Sequence, residues 1–172
     1  KSVILLEAHE PGWGGSGRNG GQVIPGIKYD PVEIRAKFGA EAGNALTKFV
    51  GGTADLVFNL IDKHAMEVPR IRNGWIQGAH NAEMIDTVKR RAGEWQQEGV
   101  AARVLDKAEV AEALGSSQYL GGWLDPRGGA VQPLAYARGL AKAAIKAGAR
   151  LCGQSRVRTI EKTGTGFAVT TD

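Results

Sequence analysis

The sequence predicts an α/β fold combined with α+β structure, and three features of the 172-residue chain support that class. The continuous apolar run at residues 3–6 is typical of a strand in a parallel sheet. Segments with helical periodicity alternate along the chain with short strand-like segments. The length allows one domain of ordinary size or two small ones, with a hydrophobic core that needs no disulfide or metal.

The first part of the chain is predicted to contain one strand, a glycine-rich loop and then helices. Residues 3–6 form the strand, which we expect to be buried on both faces. Residues 11–26 are rich in glycine and lack periodicity, which leaves open whether this loop is ordered. An aspartate, a proline and a glutamate at residues 30–33 supply the N-cap, N1 and N3 signals of a helix start. Helical spacing continues over residues 46–61, with Gly51-Gly52 as a break or a kink.

Helices and strands alternate in the prediction for the rest of the chain. Helices are predicted at residues 81–98 and 106–114, and a last helix opens at Gln132-Pro133 and stops at Gly148. Strands are predicted at residues 71–78, 100–105, 119–124, 150–152, 155–160 and 166–171. The last two strands are expected to form a hairpin through residues 163–166.

Composition and charge argue against several classes of function. Lys plus Arg number 22 and Asp plus Glu number 18, and this net charge of +4 is too mild and too dispersed to favour nucleic acid as the partner. No apolar run in the sequence is long enough for a transmembrane span. Cys152 is the only cysteine of the chain, and His9, His64 and His80 lack partners at metal-ligand spacing, so neither a disulfide framework nor a metal site is expected. A reducing, cytoplasmic location is the resulting expectation.

Residues 15–20 satisfy the pattern G-x-G-x-x-G of dinucleotide-binding loops. In such loops the strand turns directly into a helix, so that the pyrophosphate lies at the helix N-terminus. Here seven residues separate Glu7 from Gly15, and Pro25-Gly26 follows shortly afterwards. The pattern alone therefore gives little support to an NAD-dependent dehydrogenase.

Glu7 ends the first predicted strand, and its position allows two interpretations. In dinucleotide folds an acidic residue about 20 residues after the glycine fingerprint closes the second strand and accepts hydrogen bonds from the adenosine ribose. If Glu7 has that role, the fingerprint lies upstream of Lys1 and the chain is an internal part of a longer protein. Otherwise Glu7 simply ends a strand at a solvated loop. The residue pattern leaves both interpretations open.

Two stretches of the chain resemble one family of flavoenzymes. Residues 4–7 and 12–22, with the sequences ILLE and GWGGSGRNGGQ, resemble the second flavin-binding stretch of the D-amino-acid-oxidase-like FAD-dependent oxidoreductases, and most of all the gamma-glutamylputrescine oxidoreductase branch. Residues 128–134, the helix that follows, residues 148–151 and Val157 resemble the segment that leads into the strand covering the adenine. The resemblance runs over nearly the whole chain.

This resemblance implies a fold and a division into domains. The chain would be a fragment of a FAD/NAD(P)-binding Rossmann-like domain, interleaved with part of a substrate (cap) domain. Residues 1–70 would belong to the FAD-binding domain, residues 71–132 to the substrate domain, and residues 133–172 again to the FAD-binding domain. The family's upstream glycine fingerprint and the downstream part of its flavin site would lie outside these residues, so we expect the fragment alone to be inactive.

The resemblance also implies FAD as the cofactor and suggests which residues hold its adenosine end. Glu7 would accept hydrogen bonds from the ribose, and Val157 would pair its main-chain groups with the adenine. Ser16, Arg18 and Asn19 would face the pyrophosphate and the adenosine, where an arginine supplies charge-assisted donors. Without the resemblance, the same residues fit a surface glutamate, a core strand and a solvated basic loop.

The flavin end of the cofactor is assigned to the residues that follow. Gly20 and Gly21 would let the main chain touch the flavin ring, because any Cβ would push the ring away. Gln22 would lie near the ring edge. The alternative for two adjacent glycines is a flexible turn. Gln132 occupies a place where relatives often carry histidine, and no catalytic residue is assigned.

By resemblance, the full-length protein would oxidise the C–N bond of a small-molecule amine or amino acid by hydride transfer to the flavin. A non-catalytic flavin-binding or structural relative is the principal alternative, and an NAD-dependent dehydrogenase is the third. The sequence assigns neither the particular amine, nor the final electron acceptor, nor the oligomeric state.

Overall fold

The computed structural model describes residues 2–172. Its helices are α1 (Gly15–Arg18), α2 (Pro31–Phe38), α3 (Ala40–Gly51), α4 (Thr53–Lys63), α5 (Ala82–Gln97), α6 (Lys107–Leu114) and α7 (Pro133–Lys146). Its strands are β1 (Ile4–Leu6), β2 (Gln22–Val23), β3 (Arg70–Ile71), β4 (Trp75–Ala79), β5 (Arg103–Leu105), β6 (Gly121–Asp125), β7 (Gly129–Val131), β8 (Arg150–Cys152), β9 (Val157–Lys162) and β10 (Phe167–Thr171). The mixed α/β architecture confirms the predicted fold class.

The chain divides into two compact units. The first unit comprises the residues up to Gly21 together with residues 60–70 and 131–172, and the second comprises residues 22–59 and 71–130. The predicted division into FAD-binding and substrate domains, with borders at residues 70 and 132, concerns function and stays a prediction.

Strand β1 pairs with β8 in parallel, in the register Ile4↔Arg150 to Leu6↔Cys152. The parallel pairing is as expected for the apolar run. Burial on both faces is wrong for the described chain, because Ile4 is 53% exposed and Leu5 46% exposed. In residues 2–172, β8 is the only strand that pairs with β1, so most of the strand's apolar surface has no protein layer over it.

The first unit also contains the predicted hairpin and the predicted last helix. Strands β9 and β10 pair antiparallel, and the Thr163 amide donates to the Gly166 carbonyl at 2.9 Å to close the turn. Helix α7 begins as expected at Pro133, and the Gln132 side chain accepts a hydrogen bond from the Ala135 amide at 2.5 Å. This N-cap satisfies one of the free amides of the first turn.

Helix α4 ends in a turn that places Ala65 in the left-handed conformation, with φ of +47°. The Met66 amide donates to the Ile61 carbonyl at 2.9 Å, and the Ala65 amide donates to the Asp62 carbonyl at 3.1 Å. These two hydrogen bonds define a Schellman motif, whose left-handed position is normally glycine. An alanine at that position is strained.

We expect Ala65→Gly to raise the free energy of unfolding by about 0.5–1 kcal/mol, because relief of the left-handed strain outweighs the added freedom of glycine in the unfolded chain. The matched control is Gly115→Ala at the left-handed C-cap of α6, where φ is +66° and the added Cβ would meet no atom within 4 Å. We expect the free energy of unfolding of that variant to fall by about 1 kcal/mol. Denaturant unfolding of the chain measures both values, and a less stable Ala65→Gly variant would contradict the assignment.

The second unit has a core between helices and a three-stranded sheet. Strand β6 pairs antiparallel with β4 on one side and with β5 on the other. Gly74, with φ of +96°, separates β3 from β4 where a single strand was predicted. The buried core residues come from both helices and strands: Ile34, Val50, Ala79, Val88, Ala92, Trp95, Ala102 and Trp123. The predicted amphipathic helix at residues 81–98 is confirmed, since α5 supplies three of them.

Local signals of the second unit are also confirmed, with one change. Helix α3 ends at Gly51 and α4 begins at Thr53, so the Gly51-Gly52 pair breaks the helix. Asp30 precedes Pro31 as predicted, but its carboxylate makes no side-chain cap. It instead accepts from the guanidinium groups of Arg90 and Arg91, each at 3.1 Å. Asp30 is buried against α5, and a buried carboxylate is stabilised by charged partners.

Candidate functional site

Glu7 extends the β1 ladder by one residue beyond the strand. Its amide donates to the Cys152 carbonyl at 2.9 Å, and its carbonyl accepts from the Ser155 amide at 2.8 Å. One carboxylate oxygen, Oε1, accepts from the His9 amide at 2.9 Å. The other, Oε2, has no hydrogen-bond partner among residues 2–172. The backbone is therefore fixed at the carboxyl end of a parallel strand, and one acceptor oxygen has no partner within residues 2–172.

The glycine-rich loop between β1 and β2 packs closely against helix α7. A Cβ at Gly12, where φ is +83°, would lie 2.8 Å from Leu134 Cδ1 and 3.0 Å from Ala137 Cβ. A Cβ at Gly17 would lie only 2.0 Å from the Gly12 carbonyl oxygen. These two glycines are thus needed for the loop to fold on itself and onto α7. The loop packs against α7 within the first unit.

The G-x-G-x-x-G pattern of this loop does not form a dinucleotide-binding turn. Helix α1 is a single turn of four residues, and the chain leads from it into β2, which pairs antiparallel with β7. A dinucleotide fingerprint requires a strand that turns into a long helix and a second parallel strand. This geometry agrees with the prediction that the pattern gives little support to an NAD-dependent dehydrogenase.

A stack of three side chains presents a cation on the loop. The rings of His9 and Trp13 are 3.8 Å apart with an interplanar angle of 25°, and the Arg18 guanidinium lies 4.5 Å from the Trp13 ring centroid. No carboxylate of residues 2–172 lies within 4 Å of Arg18. Stacking on an aromatic face orients a guanidinium and leaves its N–H groups available to an anion. His9 and Trp13 were not predicted as site residues, although aromatic side chains beside a glycine-rich loop are a usable signal.

Asn19 holds the loop closed. Its Oδ1 accepts from the Gly21 amide at 2.8 Å, while its Nδ2 donates to the carbonyl groups of Gly15 and Ser16, both at 3.0 Å. The amide side chain is thus largely occupied by loop contacts. The Ser16 hydroxyl, in contrast, makes no hydrogen bond within residues 2–172.

Gly20 and Gly21 have opposite surroundings. Gly21 is buried with φ of +72°, and a Cβ there would lie 2.2 Å from the Val131 carbonyl oxygen. Its own carbonyl accepts from the Val131 amide at 2.8 Å. Gly20 is exposed, and a Cβ there would meet no atom within 4 Å. The fold of the protein therefore requires glycine at position 21, whereas no contact within residues 2–172 requires glycine at position 20.

The remaining predicted contacts lie at the starts of two strands. Val157 is the first residue of β9, is 39% exposed and pairs with Thr171. Only one residue separates it from Ser155, which is bonded to Glu7, so the structure brings Glu7 and Val157 to the same end of the β1–β8 pair. Gln22 begins β2 in the second unit and pairs with Ala130.

The described residues 2–172 offer neither a metal cluster nor a membrane-spanning helix. No cluster of three or more His, Cys, Asp or Glu side chains is arranged to hold a metal ion in this part of the chain. None of the described helices combines the length and apolarity needed to cross a bilayer.

Comparison with known proteins places the chain in one family. The family model DAO, described as FAD dependent oxidoreductase, matches residues 1–172. The probable oxidoreductase OrdL of Haemophilus influenzae is 31% identical over 166 residues, which is 95% of this chain and 38% of that protein. Gamma-glutamylputrescine oxidoreductase of Escherichia coli is 28% identical over 162 residues, covering 94% of this chain and 38% of that protein. The chain belongs to the DAO family of FAD dependent oxidoreductases.

Solved structures share the fold. Glycine oxidase from Geobacillus kaustophilus superposes with a TM-score of 0.74 at 22% identity, over 99% of this chain and 45% of that one. L-Proline dehydrogenase from P. horikoshii superposes with a TM-score of 0.73 at 19% identity, over 100% of this chain and 43% of that one. The chain therefore spans about two fifths of the length of its relatives.

Proposed function

We propose that the full-length protein is an FAD-dependent enzyme that oxidises the C–N bond of a small amine or amino acid. The observation that carries this proposal is the family match over residues 1–172. Relatives and neighbours in the fold are named for gamma-glutamylputrescine, glycine and L-proline, which suggests amines and amino acids as the substrate class.

The described residues fit the adenosine and pyrophosphate end of FAD. The carboxylate oxygen Oε2 of Glu7 accepts from a ribose hydroxyl, and the main chain of Val157 pairs with the adenine. The unpaired guanidinium of Arg18 and the hydroxyl of Ser16 donate to phosphate oxygens. Asn19 is a positioning residue in this proposal. Its side chain accepts a hydrogen bond from the Gly21 amide and so holds the backbone on which the flavin lies.

The described residues also fit the flavin end. The open space over Gly20 allows a planar ring to lie against the backbone, which a side chain at this position would prevent. Gly21 keeps that backbone in place through its contact with Val131. Gln22 lies near the ring edge in this proposal. When bound, FAD supplies the acceptor for the hydride on the carbon that bears the amine, and water hydrolyses the resulting imine.

The test uses the full-length protein and two readouts. Visible flavin absorbance of the purified protein shows whether FAD is bound. Bleaching of that absorbance without oxygen, on addition of gamma-glutamylputrescine, glycine or L-proline, shows amine oxidation regardless of the electron acceptor. Bound flavin that no amine bleaches would favour the non-catalytic alternative. Reduction of added NAD without bound flavin would favour a dehydrogenase.

Glu7→Ala is expected to weaken FAD binding by the full-length protein by roughly 1–3 kcal/mol, because it removes a charged acceptor from the ribose. Glu7→Gln keeps an acceptor oxygen and is expected to lose less. Equilibrium dialysis of FAD against the folded variants measures both, and Glu112→Ala, at an exposed glutamate of α6, is the control. Parent-like affinity of Glu7→Ala would remove Glu7 from the site.

A further inference from the structure

A cavity of the first unit lies between helix α7 and the turn that follows α4. Its volume is about 620 Å³, within the range of small-molecule sites. We call it the basic groove, and define it by the polar side chains on its walls: Lys63, His64, Glu67, Arg138, Lys142 and Lys146. With the exception of Arg138, these residues do not line the smaller cavity beside the glycine-rich loop.

The charged side chains that line the basic groove are mostly positive. Arg138, Lys142 and Lys146 follow each other at intervals of four on α7, so they share one face of the helix. Lys63 faces the same cavity from the opposite wall, and Glu67 is the one acid that lines it. Cationic walls around a recess concentrate positive potential and attract anions.

Arg138 pairs with Glu10 at 3.4 Å, but the neighbouring acids do not neutralise the three lysines. Asp62, which precedes Lys63, pairs with Arg70 at 2.6 Å. Within residues 2–172, Lys63, Lys142 and Lys146 have no carboxylate within 4 Å. The ammonium groups are exposed, so they can turn towards a ligand.

The floor of the basic groove is apolar and made of small residues. Ala135, Gly139 and Ala143 line it from α7. Met66 packs below them and is 8% exposed, and a Cβ at Gly139 would lie 2.9 Å from its sulfur atom. The absence of a side chain at Gly139 therefore lets the α4 turn approach the helix and form the recess.

We propose that the basic groove binds a small organic anion that carries at least two negative charges on a compact apolar frame, such as an aryl phosphate. The charged groups contact the ammonium groups of Lys142, Lys146 and Lys63, and the apolar frame lies on the alanine and glycine floor. Charge alone would hold any anion, whereas the floor adds the burial of apolar surface. The three lysines that hold the ligand do not line the cavity beside the glycine-rich loop, where the pyrophosphate of FAD is proposed to lie.

The test is titration calorimetry of the 172-residue chain with 1-naphthyl phosphate as the probe. We expect saturable binding of one molecule per chain. Inorganic phosphate lacks the apolar frame and 1-naphthol lacks the charge, so we expect each to bind at least about fivefold more weakly. Undetectable binding of 1-naphthyl phosphate, or equal affinity for all three compounds, would overturn the proposal.

Paired variants locate the site. Lys142→Ala combined with Lys146→Ala is expected to lower the affinity at least about tenfold, because two charge-assisted contacts are lost. Lys107→Ala combined with Lys162→Ala removes the same charge from α6 and β9, and we expect less than about a twofold change. Glu7→Ala is expected to bind the probe like the parent, which separates this site from the ribose contact. Equal losses in the two paired variants, or a large loss in Glu7→Ala, would refute the assignment.

Discussion

Gly20→Val is expected to abolish flavin binding by the full-length protein without destabilising its fold. The fold does not require glycine at this position, since a Cβ there would meet no protein atom within 4 Å. A branched side chain would nevertheless fill the space over the backbone that the proposed flavin ring needs. Flavin content and amine-dependent bleaching of the purified variant measure the loss, and circular dichroism measures the fold.

The control for this variant is Gly164→Val. Gly164 also has open space around its Cβ position and lies in the turn between β9 and β10. We expect that variant to keep parent-like flavin content and turnover. If Gly20→Val also kept both, the contact between Gly20 and the flavin would be disproved.

Gly21→Val is expected to lower the free energy of unfolding by about 3 kcal/mol or more, whether or not flavin is present. Two penalties combine at this position. Valine is strained at φ of +72°, and its Cβ would overlap the Val131 carbonyl oxygen at 2.2 Å. Val131 is the last residue of β7, and its amide donates to the Gly21 carbonyl, so its carbonyl oxygen cannot move away cheaply and the distortion spreads into the chain around it.

Denaturant unfolding and soluble yield of the Gly21→Val chain measure this effect, with Gly20→Val as the matched neighbour. Flavin loss in Gly21→Val would follow from the damaged fold and so could not identify a cofactor contact. A Gly21→Val chain with parent-like stability would show that the contact with Val131 is not needed.

Features encoded by nearby residues were predicted well. The capped helix α6 is an example, because Asp106 and Glu109 satisfy each other's amides at 2.9 Å and Gly115 ends the helix in the left-handed conformation. All three residues act within one short segment, so the sequence pattern contains the whole signal. The break at Gly51-Gly52 is equally local.

Features that depend on distant partners were not predicted. Strands β2 and β7 contain two and three residues, too few for an alternating pattern, and form because Gln22 meets Ala130. Glycine is required at position 21 because of the contact with Val131, which is distant in sequence. The sequence did not reveal that contact, and a cofactor contact was predicted there instead. For Glu7, the residue pattern left two interpretations, and the family resemblance supplied the choice between them. The exposure of β1 depends on which layers cover it, which a single apolar run does not encode.

The stack of Trp13 with His9 and Arg18 gives the glycine-rich loop an optical label of its own. The chain has four tryptophans, and Trp75, Trp95 and Trp123 all lie in the second unit. Tryptophan emission from the described residues of the first unit thus originates from one indole, which is 50% exposed and lies on the loop proposed to hold the cofactor. Anything that docks beside Arg18 changes the polarity and the energy-transfer partners around that indole. The loop therefore reports its own occupancy in the fluorescence of the native sequence, with no dye attached.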